Sequence, residues 1–405
     1  MSWEKTKIGD HCEITSSKRI FYSEYTDSGV PFYRSKEIIE SSQGQPISES
    51  LYISTDKYND IKSKFGVPLP GDMLLTSVGT IGIPYIVRTD DYFYFKDGNL
   101  TWFRNFDDSL SSKFLCYWIG SKDGYGVLNN TTIGSSQKAL TISSLKQIEC
   151  PLPPIEVQNR IVDILSAYDN LIENNQKQIK LLEEAAQRLY KEWFVDLHFP
   201  GYEDTPVVDG VPEGWSLSQI SDFGEVVTGK TPSTEKKEYY GGNIPFVKIP
   251  DMHGCVYPVI TESSLTEAGA KTQINKFIPR NSIMVSCIAT VGLVNIAVER
   301  CQTNQQINSI ILSDERDLYY VFSAMKRLKE LLEGVGSNGA TMTNVNKTKF
   351  ASLPVLYPSE ELRDSYYSFC KPIFEKIYNL SLSVVGLKKA RDRLLPKLMS
   401  GEIEV

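Results

Sequence analysis

The second half of this chain restates the first. Trp3 followed by Ile8-Gly-Asp10 recurs 212 residues later as Trp215 followed by Ile220-Ser-Asp222. Val30-Pro-Phe-Tyr-Arg-Ser-Lys36 returns as Ile244-Pro-Phe-Val-Lys-Ile-Pro250, and Pro70-Gly-Asp-Met-Leu-Leu-Thr-Ser-Val-Gly-Thr-Ile-Gly82 as Pro279-Arg-Asn-Ser-Ile-Met-Val-Ser-Cys-Ile-Ala-Thr-Val-Gly292. Each copy then reaches a Gly-Ser run (Gly134-Ser-Ser-Gln-Lys138; Gly336-Ser-Asn-Gly-Ala340), a proline-bearing stretch (Pro151-Leu-Pro-Pro154; Leu353-Pro-Val-Leu-Tyr-Pro358) and a long helical pattern. Such a repeat requires one fold to be built twice, in the order domain, helix, domain, helix. A length of 405 residues has room for that.

The helical patterns are the more regular part. Ile161, Leu165, Tyr168, Ile172, Ile179, Leu182, Ala186, Leu189 and Trp193 follow a 4-3 spacing broken only by Asn175, which is a coiled-coil seam. A helix over 159–194 would be about 54 Å long and needs a partner of similar length. Leu362, Tyr366, Phe369, Ile373, Ile377, Leu380, Val384, Leu387, Leu394 and Leu398 supply one, with Pro372 predicting a kink. Inside each globular half, runs such as Tyr85-Ile-Val87, Tyr92-Phe-Tyr-Phe95 and Asn308-Ser-Ile-Ile-Leu312 lie among Gly, Pro, Asn and Asp and read as strands. Short helices are expected at Ser112 to Gly120 and Tyr319 to Glu333. The fold class is therefore α+β: two similar β-rich domains separated by two long antiparallel helices. The boundaries are 1–154, 155–200 for the first helix, 201–354 for a linker plus the second domain, and 355–405 for the second helix.

Composition excludes several classes. No apolar run approaches the roughly 18 residues that span a bilayer, and Met1-Ser-Trp-Glu-Lys-Thr-Lys7 lacks the apolar core of a secretory signal, so a cytoplasmic location is expected. The seven cysteines (Cys12, Cys116, Cys150, Cys255, Cys287, Cys301, Cys370) are odd in number with no CxxC pair, and the three histidines (His11, His198, His253) lack metal-ligand spacing. No metal or disulfide framework is expected. A net charge of −7 opposes nucleic-acid binding at first sight. Residues 151–210 carry −6 of it, while 1–150 carry −2, 211–352 are neutral and 353–405 carry +1.

One short pattern imitates an enzyme. Gly224-Glu-Val-Val-Thr-Gly-Lys-Thr231 matches the phosphate loop G-x-x-x-x-G-K-T, with Ile310 to Asp314 as a weak magnesium-strand mimic. A phosphate loop must open a helix whose amides cradle phosphate, and Pro232 with no apolar helical pattern beyond it argues against that. A nuclease set is missing too: Pro250-Asp251 and Glu262 are followed by Ser264 where a lysine is needed. A base methyltransferase would need an Asn/Asp-Pro-Pro-aromatic motif, whereas Pro153-Pro154 lies between Leu152 and Ile155. No catalytic residues, cofactor or metal are assigned to this chain.

Leu152-Pro-Pro-Ile-Glu-Val-Gln-Asn-Arg-Ile-Val-Asp-Ile-Leu165, continuing through Asp169-Asn-Leu-Ile-Glu173 to Gln187-Arg-Leu-Tyr-Lys-Glu-Trp-Phe194, resembles the central helical region of type I restriction-modification specificity subunits. Leu394-Leu-Pro-Lys-Leu-Met-Ser-Gly-Glu-Ile403 resembles their C-terminus, and Val227-Thr-Gly-Lys-Thr-Pro-Ser233 a common opening of their target-recognition domains. The first domain departs from that opening, with Ile14-Thr-Ser-Ser-Lys-Arg19 in its place. The resemblance implies that each domain reads one half of a split double-stranded DNA target and that the helices set the spacing. It also implies two methyltransferase subunits, which bring S-adenosylmethionine, and motor-nuclease subunits, which use ATP and Mg. A recognition subunit of a related bifunctional system, a protein-binding coiled-coil scaffold, and an ATP-using enzyme are the alternatives.

Base reading needs side chains that fork onto base edges, and phosphate contact needs Lys, Arg, Ser and Thr. The candidates in the first domain are Ser17, Lys18, Arg19, Arg34, Ser35, Lys36, Thr76, Ser77, Thr80, Ser135, Ser136, Gln137 and Lys138. Those in the second are Thr228, Lys230, Thr231, Lys248, Ser286, Thr290, Asn304, Gln305, Gln306, Asn338, Thr341, Thr343, Asn346 and Lys347. Turns favour the same residue types.

Overall fold

Apolar side chains recurring every second residue, ended by Gly, Pro or Asn, make strands of two to eight residues here. Val30–Tyr33, whose side chains alternate between core and boundary, is typical. The computed structural model describes residues 3–44, 47–134, 138–334 and 344–405. The chain divides into two units, Met1–Glu173 with Leu387–Val405, and Asn174–Gly386.

The first unit contains strands β1 (Lys5–Lys7), β2 (Glu13–Thr15), β3 (Tyr25–Thr26), β4 (Val30–Tyr33), β5 (Leu51–Ile53), β6 (Met73–Thr76), β7 (Pro84–Ile86), β8 (Tyr94–Phe95), β9 (Leu100–Arg104) and β10 (Glu149–Pro151). Its short helices are α1 (Ser35–Ser42), α2 (Thr55–Phe65), α3 (Ser112–Gly120), α4 (Lys122–Thr131) and α5 (Ile142–Lys146). The central sheet has the order β2-β9-β6-β7, all antiparallel. A second sheet runs β3-β5-β4-β8, with β4 antiparallel to β5 and parallel to β8. β1 pairs with β10 just before the first long helix, α6 (Ile155–Phe194).

The second unit repeats this. After the hairpin β11 (Val207–Val208) and β12 (Val211–Pro212) come β13 (Ser216–Gln219), β14 (Gly224–Thr228), β15 (Tyr240–Val247), β16 (Ser263–Leu265), β17 (Ile283–Ser286), β18 (Val294–Ile296), β19 (Gln302–Thr303), β20 (Ile307–Leu312) and β21 (Pro354–Tyr357). The order β14-β20-β17-β18 matches the first central sheet, β16-β15-β19 the second, and the β13–β21 pair again precedes a long helix. Helices α7 (Glu267–Lys271), α8 (Leu318–Lys326), α9 (Leu328–Gly334) and α10 (Lys347–Ala351) complete it. Tyr319 to Glu333, expected as one helix, is two, because Arg327 leaves helical geometry at φ −99° and ψ 20°. The final helix α11 (Glu360–Met399) runs through Pro372 without interruption.

Each long helix contributes to both units, and within each the two run antiparallel. In the first, Ile161, Val162 and Leu165 share a buried cluster with Leu398 and Met399, and Arg391 donates to Asp169 at 2.6 Å. In the second, Ala186, Tyr190 and Phe194 pack with Leu362, Tyr366, Cys370 and Phe374, and Asn175 donates to Ser383 at 3.1 Å. Asn175 breaks the seam because its amide has a polar partner across it.

The first turn of each long helix is tied to its own short helix by a buried polar group. Gln158 accepts from Ser111 N and donates to the carbonyls of Ser109 and Pro153. Its counterpart Arg363 donates to Asp317 at 2.7 Å.

Candidate nucleic-acid interface

The phosphate-loop pattern is, in three dimensions, a strand edge. Gly224–Thr228 is β14, with Gly224 opposite Leu312 in an antiparallel pair. A Cβ on Gly224 would lie 2.0 Å from Ile311 O, and one on Gly229 would lie 2.2 Å from Asn304 O. These glycines are present because neighbouring backbone comes close, not to wrap phosphate. No helix opens after Thr231; a short 3-10 turn, Lys237–Tyr239, follows.

Strand register shows which residues of the two units correspond. Phe103 faces both Met73 and Ile14, and Ile310 faces both Ile283 and Val226. Ile14 and Val226 are therefore equivalent, and four residues further on Lys18 and Lys230 fall at the same place. Both are exposed, on the loop that leaves the first strand of the central sheet.

Beside that loop in each unit lies a turn built identically. Thr76 accepts from Ile83 N through its hydroxyl at 2.9 Å, and Ser286 from Leu293 N at 2.8 Å. The turns carry Gly79 at φ 78° and Ala289 at φ 63°, a left-handed conformation that costs an alanine roughly 1–2 kcal/mol. The next residue, Ser77 or Cys287, accepts through its carbonyl from Leu140 N or Val345 N, fastening the segment ahead of α5 or α10 to the turn. Three chain segments thus meet at one end of each central sheet.

The candidates divide accordingly. Thr76, Ser77 and Ser286 are buried and engaged in the turn or with Thr101, and Asn304 is buried with its amide bonded to Gln306. Thr80 and Thr290 are exposed at the turn tips. Arg19 is paired with Asp97, Arg34 with Glu37 and Glu49, Lys36 with Glu49, and Lys248 with Glu262. Lys18, Lys138, Lys230 and Lys347 are exposed and, among the described residues, face no carboxylate in an ion pair. Lys138 bonds Asn129, and Lys18 lies 5.0 Å above the Phe65 ring. Thr228 donates to Asn308, Thr231 to Gln305, and Asn346 caps α10. Ser17 and Ser35 are half-buried, and Gln305 is exposed. Ser135, Ser136, Gln137, Asn338, Thr341 and Thr343 lie outside the described residues.

Two aromatic residues outside this candidate set are exposed beside it. Phe21 and Tyr22, 62% and 88% exposed, follow Arg19 on the same loop, where Glu24 accepts from Phe21 N and pairs with Lys57. Their signal was two large rings in a loop between polar residues. The second unit carries Lys236 and Lys237 in its longer loop instead.

A family model for the type I restriction modification DNA specificity domain matches residues 1–184 and again 212–366. The chain belongs to that specificity family. The two matches are the two copies of the repeat. The HindI specificity subunit of Haemophilus influenzae is 34% identical over 325 residues, covering 65% of this chain and 71% of its own. The MjaIX specificity subunit of Methanocaldococcus jannaschii is 28% identical over 427 residues, covering 100% and 94%. A crystal structure of a type I S subunit from M. genitalium shares the fold over 98% of this chain and 96% of its own, with a TM-score of 0.60 at 15% identity. Among the described residues of this specificity-family chain, no helix is long and apolar enough to cross a membrane, and no group of His, Cys, Asp or Glu could hold a metal ion.

Proposed function

We propose that this chain is the non-catalytic, cytoplasmic DNA-recognition subunit of a type I restriction-modification complex. Each unit reads one half of a bipartite duplex target, and the paired helices set the spacing between the halves. The observation that carries this reading is the duplication of one loop cluster, with an exposed lysine that pairs with no carboxylate among the described residues at the matched positions 18 and 230, on units whose remaining loop residues differ. Matching lysines supply sequence-independent phosphate contact, and differing neighbours supply two different half-sites.

Two methyltransferase subunits supply S-adenosylmethionine chemistry, and motor-nuclease subunits supply ATP- and Mg-dependent translocation and cleavage. This chain holds none of these cofactors. The test is reconstitution: the purified chain should neither methylate nor cleave duplex DNA, and adding the co-encoded subunits should give methylation at one bipartite sequence. Methyl transfer or cleavage by the chain alone would sink the reading. So would a complex that methylates without regard to sequence.

A further inference from the structure

We propose that Tyr94 in the first unit and the Gln302–Gln273 pair in the second are positioning residues, which fix the backbone at Lys18 and Lys230 so that these lysines meet DNA phosphate. The proposal rests on the preceding reading of these loops as a DNA-binding surface, and goes beyond it by assigning what holds them in place.

Phe32 faces Tyr94 and Phe246 faces Gln302 across matched parallel pairings, so Tyr94 and Gln302 occupy the same site in the two units. Both are completely buried. From that site the two side chains reach the same loop by different chemistry.

In the first unit the contact is direct: Lys18 N donates to Tyr94 Oη at 2.6 Å. Burial pushes the Tyr94 phenol up to about 12, so it remains a neutral hydroxyl at any working pH.

In the second unit the contact is relayed. Gln302 Nε2 donates to the carbonyls of Ala270 and Gln273, at 3.1 and 3.2 Å, which decides which end of its amide is nitrogen. Gln302 Oε1 must then accept, and it does so from Gln273 Nε2 at 2.8 Å. The same Gln273 nitrogen donates to Lys230 O at 2.6 Å. Donation therefore starts at Gln273 Nε2, which gives one hydrogen to Lys230 O and the other to Gln302 Oε1, while Gln302 Nε2 is anchored by donating to the two backbone carbonyls. Gln273 Oε1, buried with no partner, is left unsatisfied by this arrangement. A buried amide that tolerates an orphan oxygen while both its amide hydrogens are engaged is held for what it donates to.

The rest of the loop is equally fixed: Lys230 N donates to Thr303 O at 2.9 Å and Gly229 N to Ile307 O at 3.1 Å. A lysine ammonium sits on a flexible four-carbon stem, so holding its root narrows the volume that the charge explores and reduces the ordering needed on binding. Two units that use a phenol and a pair of amides to hold the same residue differ in chemistry and agree in purpose.

The experiment measures affinity of the assembled complex for its target duplex over a series of salt concentrations. The variants are Lys18→Ala, Lys230→Ala, Tyr94→Phe and Gln273→Met, with each positioning change also combined with its lysine change. Each alanine variant should lower the slope of log K on log salt by about 0.9, the signature of one lost phosphate contact. Tyr94→Phe, which removes one oxygen and keeps the ring, and Gln273→Met should each weaken binding roughly three- to tenfold, the range between partial and complete loss of one such contact. Both should lower the slope in the same sense, and neither should add to the loss caused by its own lysine variant. Should Gln273→Met fold poorly, Gln273→Asn keeps an amide one methylene too short to reach Lys230 O and carries the same expectation.

Weaker binding at an unchanged slope, or losses that add to those of the lysine variants, would overturn the proposal, because a merely structural role does not change ion release. Alanine variants that leave the slope unchanged in a complex that still binds its target specifically would overturn it as well, together with the phosphate role given to the two lysines, and leave only the assignment as a DNA-recognition subunit standing. A wild-type complex without target preference would remove that function first.

Discussion

The ion pair between Arg363 and Asp317 allows a quantitative test of what a buried charge does for this fold. The two are 6% and 1% exposed and 2.7 Å apart, with the guanidinium 4.5 Å from the Tyr357 ring and its Nε without a partner. Asp314, at 3.7 Å from the same guanidinium, is already engaged by Arg316. Asp317→Ala therefore leaves a buried cation with a shared, more distant counter-charge. Breaking one side of such a pair costs about 3–5 kcal/mol, and Asp314 places the expectation near the lower end, about 3 kcal/mol. For a unit of this size that is a fall in Tm of roughly 6–12 °C. Burial holds the Asp317 carboxyl above its ordinary value of 3.8 in spite of Arg363, so desolvation outweighs the attraction. A raised folded value means stability that is present below 3.8 and lost as pH rises through the folded value. The double variant Asp317→Leu with Arg363→Met should accordingly match or exceed wild type at neutral pH and lack this loss above about pH 4. Urea unfolding and calorimetry at pH 3.5 and 7 measure both. A single-variant cost below about 1 kcal/mol, or a double variant as unstable as the single, would refute the reasoning.

Three further outcomes are expected. Gly224→Ala should destabilise the chain by more than about 3 kcal/mol in urea unfolding, because its Cβ would meet Ile311 O, while ATP binding stays undetectable before and after the change. Ala289→Gly should stabilise by about 0.5–1 kcal/mol, the left-handed strain relieved less the added backbone entropy, as read from the shift in urea midpoint. Inserting seven residues at matched places in α6 and α11 should lengthen the paired helices by about 10 Å, and methylation mapping should then find the same half-sites about three base pairs further apart.

Much of this was legible because periodicity reports burial directly. The seam from Ile161 to Trp193 needs only spacing to be recognised, and the repeat needs only comparison of Trp3 with Trp215 or Pro70 with Pro279. Pro232 sufficed to set aside the phosphate loop, although only the register of β14 showed that Gly224 is a strand residue packed on Ile311. The candidate site was less legible. Thr76 and Thr80 are the same residue type four positions apart, one sealed within a turn and the other at its tip, and composition does not separate them. Whether a lysine is free is equally hidden: Lys248 is neutralised by Glu262, whereas Lys230 pairs with no carboxylate among the described residues, and no local pattern announces either fact. Gln302 and Gln273 lie 29 residues apart and act on a third residue 43 residues from the nearer one, a relation that exists only once the chain is folded.

The division of α6 and α11 between the units also has a consequence for synthesis. The second unit is one uninterrupted stretch, Asn174–Gly386, whereas the first is completed by Leu387–Val405. A ribosome delivering about 5–20 residues per second needs roughly 10 to 40 s to pass from one part of the first unit to the other. During that interval Ile161, Val162 and Leu165 are without Leu398 and Met399. The part of the protein made first is thus the last able to close, and its unfinished apolar face is the surface a nascent-chain chaperone would meet.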